Sequence, residues 1–175
     1  YANYKAFAAL KSNGSVVVWG HPAEGGTNPG NLTSVQSIHV SFYAFCARKT
    51  NGRLVTWGDS RYGGKAEGLA DGPPQGIVTA SVCSNGYGFA GLKTDGTVAS
   101  WGLYLGNNGG TNVPAGLSTV TKIYSNSTVF AALKTDGTVS AWGRTLHGAT
   151  NVPSGLSGVN DIYCTEDAFA ALKTD

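Results

Sequence analysis

The chain has 175 residues, of which 41% are hydrophobic and only 13% charged, with 26 glycines and a net charge of +2. A chain of this length can bury roughly 70% of its unfolded surface. So weak a charge leaves no electrostatic footprint for nucleic acid, and no apolar run reaches the ~20 residues needed to cross a bilayer. Nothing at the N-terminus has the charged, apolar and small-residue order of a signal peptide. With no methionine, the sequence is expected to be a mature form, a fragment or part of something longer.

The predicted elements repeat. Phe7 to Gly20 reads FAALKSNGSVVVWG, Phe45 to Gly58 FCARKTNGRLVTWG, Phe89 to Gly102 FAGLKTDGTVASWG and Phe130 to Gly143 FAALKTDGTVSAWG. A fifth copy begins at Phe169 and stops at Asp175. The marker phenylalanines lie 38, 44, 41 and 39 residues apart, so insertions fall in loops and the constant part is the structural unit. Ile38, Val82, Ile123 and Ile162 each precede a marker by seven residues and predict an additional strand. Alternation in the fourth copy puts Phe130 and Ala132 on one face and Ala131 and Leu133 on the other, with Val139 and Trp142 following the turn. The turns carry Asn13-Gly14, Asn51-Gly52, Asp95-Gly96 and Asp136-Gly137, pairs that tolerate positive φ and join antiparallel strands. Ala8, Ala131 and Ala170 predict close packing between sheets, with Trp19, Trp57, Trp101 and Trp142 supplying bulk once per unit. The unit boundaries are taken as 1–37, 38–81, 82–122 and 123–161, with a partial unit over 162–175, all within one repeat domain. No window has a capped helical period.

Short sheets cannot cover both faces alone, so each copy must lean on its neighbour, and radial stacking gives a β-propeller. The LxxDGxVxxWG wording resembles the RCC1-type repeat, and TNVPAGL at 111–117 with TNVPSGL at 150–156 looks like a bacterial branch that includes propeller-shaped β-lactamase inhibitory proteins. The resemblance covers Phe7 to Asp175 and implies seven blades when complete. The expected fold is all-β: four full RCC1-like repeats plus a partial fifth, in an open or incomplete propeller. Residues 163–175 duplicate the role of 1–13, so both would compete for one place in a closed four-bladed ring. A fragment of a larger propeller and an open array completed head-to-tail by another molecule both fit.

No catalytic, cofactor-binding or metal-binding residue is expected. His21, His39 and His147 fall at different repeat positions, the turn aspartates lack the alternating ligands of a calcium loop, and no nucleophile elbow or phosphate loop occurs. For Cys46, Cys83 and Cys164, free thiols and a Cys46–Cys83 bridge both remain open. Asn13, Asn31 and Asn126 begin Asn-x-Ser/Thr acceptors for an N-linked glycan. Residues that break the repeat just after Trp-Gly are the interface candidates: Arg61, Tyr62, Tyr104, Leu105, Arg144 and Leu146, whose aromatic and arginine content suits an interface centre. Low charge and the glycan acceptors favour an extracellular or cell-surface location. The functional expectation is a non-catalytic structural or interaction module that binds a protein partner or itself and polymerises into fibres. The resemblance implies two alternatives, an enzyme inhibitor whose loops plug an active site and a nucleotide-exchange factor for a small GTPase.

Overall fold

In the computed structural model, the described residues are 1–30, 32–65, 73–74, 78–102, 112–144, 149 and 151–174. They hold thirteen strands and two 3-10 turns. Five separate antiparallel sheets follow one another in chain order. The first pairs β1 (Ala6–Leu10) with β2 (Val16–Gly20), and Ala2 bridges to Phe7 on the outer side of β1. The second contains β3 (Val35–Val40), β4 (Ala44–Lys49) and β5 (Leu54–Gly58). The third contains β6 (Thr79–Ser84), β7 (Phe89–Lys93) and β8 (Val98–Trp101). The fourth contains β9 (Val120–Ser125), β10 (Val129–Lys134) and β11 (Val139–Gly143). The fifth pairs β12 (Val159–Cys164) with β13 (Phe169–Lys173). This is the all-β, open array of propeller blades that the repeats predict.

Each hairpin is fixed by its tip. The register pairs Phe with Trp in every copy with both strands, as in Phe45↔Trp57 and Phe130↔Trp142. The positive φ falls on the glycine alone, between +74° and +79° at Gly14, Gly52, Gly96 and Gly137. The preceding Asn or Asp instead turns its side chain inward, as Asp95 Oδ1 accepts from the Thr97 amide at 2.9 Å. The geometry is a type I turn closed by a left-handed residue, so only one position needs a residue without Cβ. These glycines also join blades. The carbonyls of Gly14, Gly52, Gly96 and Gly137 accept from Val35, Thr79, Val120 and Val159 at 2.9–3.0 Å, tying every tip to the first strand of the next blade.

The cores lie between blades. Ala6, Ala8 and Val16 of the first blade meet Ile38, Phe45, Ala47 and Trp57 of the second. Ala44, Cys46 and Leu54 in turn meet Val82, Phe89 and Trp101, and Ala90 and Leu92 meet Phe130, Ala132 and Trp142. Small residues on the back of one sheet thus receive the stacked Phe–Trp pair on the front of the next. The chain after Trp-Gly folds over the following pair: Trp57 Nε1 donates to the Gly25 carbonyl at 3.1 Å, and a Cβ on Gly25 would lie 2.7 Å from the Phe45 ring. Trp57, Trp101 and Trp142 are buried, whereas Trp19 is 49% exposed because no sheet precedes its own in the described chain.

Candidate interaction face

At the end of the array opposite the hairpin tips, short loops join the first and second strands of each blade. Their backbones form one continuous ladder. The Tyr4 amide donates to the Phe42 carbonyl at 3.2 Å, Phe42 to Gly86 at 3.0 Å, Gly86 to Ser127 at 2.9 Å and Ser127 to Glu166 at 3.2 Å. Within each loop a polar side chain caps the turn: Asn3, Asn85 and Asn126 each accept two backbone amides through Oδ1. The ladder therefore holds the variable residues of these loops in a fixed arc.

On the first three blades four of those residues are aromatic: Tyr4, Phe42, Tyr43 and Tyr87. Tyr4 stacks on Phe42 with centroids 5.0 Å apart, Phe42 meets Tyr87 edge-on at 5.3 Å, and Tyr87 stacks on Tyr62 at 6.2 Å. Tyr62 then meets Tyr43 at 4.7 Å, and Tyr43 returns to Tyr4 at 5.4 Å, closing a ring of five aromatic side chains. Gly86 makes room for it, since a Cβ there would sit 2.5 Å from the Phe42 ring. Tyr62 is supplied by the 3-10 turn Ser60–Tyr62, which Asp59 caps by accepting from the Arg61 amide, while the Ser41 hydroxyl donates to the Tyr62 carbonyl at 2.9 Å.

Two cations flank the ring. Lys5 Nζ lies 5.8 Å from the Tyr43 centroid and Arg61 Cζ 6.0 Å from that of Tyr62. Lys5 pairs with Glu24 at 3.4 Å, and Arg61 with Asp59 at 2.6 Å. The hydrogen bond from the Arg61 side chain, against an opposing desolvation effect, holds the Asp59 carboxyl below its usual range. Tyr4 is 66% exposed, Phe42, Tyr43 and Tyr87 are half-buried, and Tyr62 is buried.

Of the residues expected at an interface, Arg61 stands at the rim of this face and Tyr62 inside the ring. Arg144 is half-buried at the end of the fourth blade, its amide donating to the Thr128 carbonyl. Tyr104, Leu105 and Leu146 lie outside the described residues, as do Asn31 and His147. Asn13 is exposed at the first hairpin tip, where its Oδ1 accepts from the Ser15 hydroxyl at 2.8 Å. Asn126 is 7% exposed, its Oδ1 accepting from the Thr128 and Val129 amides. The sequence reading missed Lys5, Tyr4, Phe42, Tyr43 and Tyr87. Their signal lay in the positions three and two residues before each marker phenylalanine, which read Tyr4-Lys5, Phe42-Tyr43, Gly86-Tyr87, Ser127-Thr128 and Glu166-Asp167.

All three cysteines are free; Cys46 is buried, and burial raises its thiol far above the ordinary range. Among the described residues no cluster of His, Cys, Asp and Glu could hold a metal, and no helix is long and apolar enough to cross a membrane.

No protein-family profile matches the chain, and no curated protein matches it. Solved structures do. The ectodomain of the receptor kinase CR4 from Physcomitrella patens is 25% identical with a TM-score of 0.56, over 81% of this chain and 37% of that one. Human WBSCR16 is 20% identical with a TM-score of 0.64, over 99% and 57%. Yeast RCC1 (Prp20), in a structure of Kap60 bound to it, is 16% identical with a TM-score of 0.57, over 81% and 42%. The chain thus spans between 37% and 57% of the length of these three solved chains, and its fold is that of RCC1-like β-propeller blades.

Proposed function

We propose that this chain is a non-catalytic protein-interaction module that works through the aromatic face of its first three blades. The observation that carries the reading is the closed ring of Tyr4, Phe42, Tyr87, Tyr62 and Tyr43, built from loops of three blades and flanked by Lys5 and Arg61. Clustered tyrosine and arginine is the composition of interface centres. A photo-crosslinking residue at position 4, compared with one at Thr138 on the opposite end, tests it: protein crosslinks concentrate at position 4, and equal yields at both positions overturn the reading.

The setting is extracellular or cell-surface. Likeness to the CR4 ectodomain supports that, as does the exposed acceptor at Asn13. Expression in secretory cells yields a glycan-bearing chain whose mass falls on Asn13→Gln, and an unchanged mass counts against that acceptor. A second reading, self-association into fibres, is favoured by the two end faces. Phe7, Val17 and Trp19 are 46%, 44% and 49% exposed on the first blade, Tyr163 and Leu172 61% and 49% on the fifth, and every internal joint mates a front face with a back face. Electron micrographs of concentrated protein then contain fibres, and a monodisperse monomer by sedimentation overturns this reading. The TNVPxGL wording resembles that of the bacterial inhibitory propellers, and that resemblance supports an alternative reading in which the same face plugs an enzyme's active site. No observation on this chain favours nucleotide exchange on a small GTPase.

A further inference from the structure

Resting on the interaction reading, we infer that the aromatic face docks an acidic protein segment, one that carries an aromatic residue between carboxylates. The two ion pairs of the face are lopsided. The side chains of Lys5 and Arg61 are 51% and 66% exposed, while their partners Glu24 and Asp59 are each 13% exposed. Positive charge therefore faces outward with the negative charge tucked beneath it, and an incoming carboxylate meets the cations first.

Between the cations lies a strip of two tyrosine rings, Tyr43 half-buried and Tyr62 buried. Lys5 stands over Tyr43, Tyr43 meets Tyr62 at 4.7 Å, and Arg61 stands over Tyr62. Tyr4, stacked on Phe42 and 66% exposed, supplies a platform beside the strip on which a partner's aromatic ring can stack. Carboxylates on either side of that ring then reach Lys5 and Arg61.

The far end of the same arc limits where the segment lies. The positions held by Tyr4 and Lys5 in the first blade are held by Glu166 and Asp167 in the fifth, and both are exposed. The backbone ladder carries them on the same rim as the aromatic ring. An acidic segment is drawn to the first three blades and repelled from the fifth, which fixes its placement on an otherwise repetitive surface.

The test is fluorescence anisotropy with a labelled peptide built of Glu-Asp-Phe triplets, alongside a Lys-Lys-Phe peptide and heparin. The acidic peptide binds, binding weakens as salt is raised, and Lys5→Glu and Arg61→Glu each weaken it at least about tenfold, in line with loss of close charge pairs. Both substitutions are at exposed side chains, and an unchanged thermal melt shows that the fold is retained; Tyr4→Ala, at an exposed platform, provides a further variant that also weakens binding. The inference is overturned if the acidic peptide does not bind, if charge reversal leaves its affinity unchanged, or if heparin binds equally well and equally independently of Tyr4. Binding of the basic peptide that is lost on Phe42→Ala overturns the charge assignment while leaving the interaction reading intact.

Discussion

Trp19 and Trp101 occupy one position of the repeat, yet the first is 49% exposed and the second 1%. Both stack on their marker phenylalanine, at 5.4 Å from Phe7 and 5.8 Å from Phe89, so the local pair is the same in each blade. What differs is the sheet in front. Trp101 is held against Ala44, Cys46 and Leu54 of the preceding blade, and truncation to alanine leaves a cavity as well as losing transfer energy, costing about 3–5 kcal/mol. Trp19→Ala removes a ring already half in water and opens a space that solvent fills, costing about 1–2 kcal/mol. Urea unfolding followed by circular dichroism separates the two, read over the whole curve because stacked repeats need not unfold in a single step. Equal losses for the two substitutions would refute the placement of the cores between blades. A Trp19→Ala cost that grows with protein concentration is the signature of a second copy covering that face.

Three further outcomes follow from particular residues. Thr119 and Ser34 sit at φ 57° and 55°, the left-handed region that Gly158 occupies at the same point of the repeat, so Thr119→Gly raises the urea midpoint by an amount equivalent to about 1 kcal/mol; a lowered midpoint counts against strain at this position. His39 has its pKa lowered from 6.5 to about 4, chiefly by burial and also by Arg48. The unfolded chain takes up this proton from pH 6.5 downward and the folded chain only near pH 4. Stability therefore falls across that window by up to about 3 kcal/mol, and His39→Gln flattens the decline in a pH series of thermal melts. Gly86→Ala drives a methyl into the Phe42 ring and costs about 1–3 kcal/mol; the near-ultraviolet dichroism of the aromatic ring collapses while the far-ultraviolet strand signal persists.

The blades were legible because four copies agree, and agreement at Asn/Asp-Gly, at the marker phenylalanine and at Trp-Gly reports backbone geometry and packing that every unit shares. The interaction face was not, for the complementary reason. Tyr4, Phe42, Tyr43 and Tyr87 stand where the copies disagree, and comparing repeats discards such positions. Tyr62 was picked out by its loop alone, and nothing in the sequence tells which loops of different blades meet in space. The strained Thr119 and Ser34 were equally silent, because neither is a glycine or asparagine and the left-handed turn is imposed by the joint between blades. The exposure of Trp19 likewise depends on its neighbour and not on its own motif.

The loop ladder from Tyr4 to Glu166 is made by main-chain amides and carbonyls, joined at its last rung by the Ser127 hydroxyl donating to the Glu166 carbonyl at 2.8 Å, so it asks little of the other side chains it displays. Except at Gly86, which lies under Phe42, and at Ser127, whose hydroxyl adds a bond to the last rung, residues on that rim can be exchanged without unseating the loops that bear them. The rim works as a rack with fixed pegs: one scaffold can be refitted for a new target by changing what hangs on it, two neighbouring residues per blade at a time.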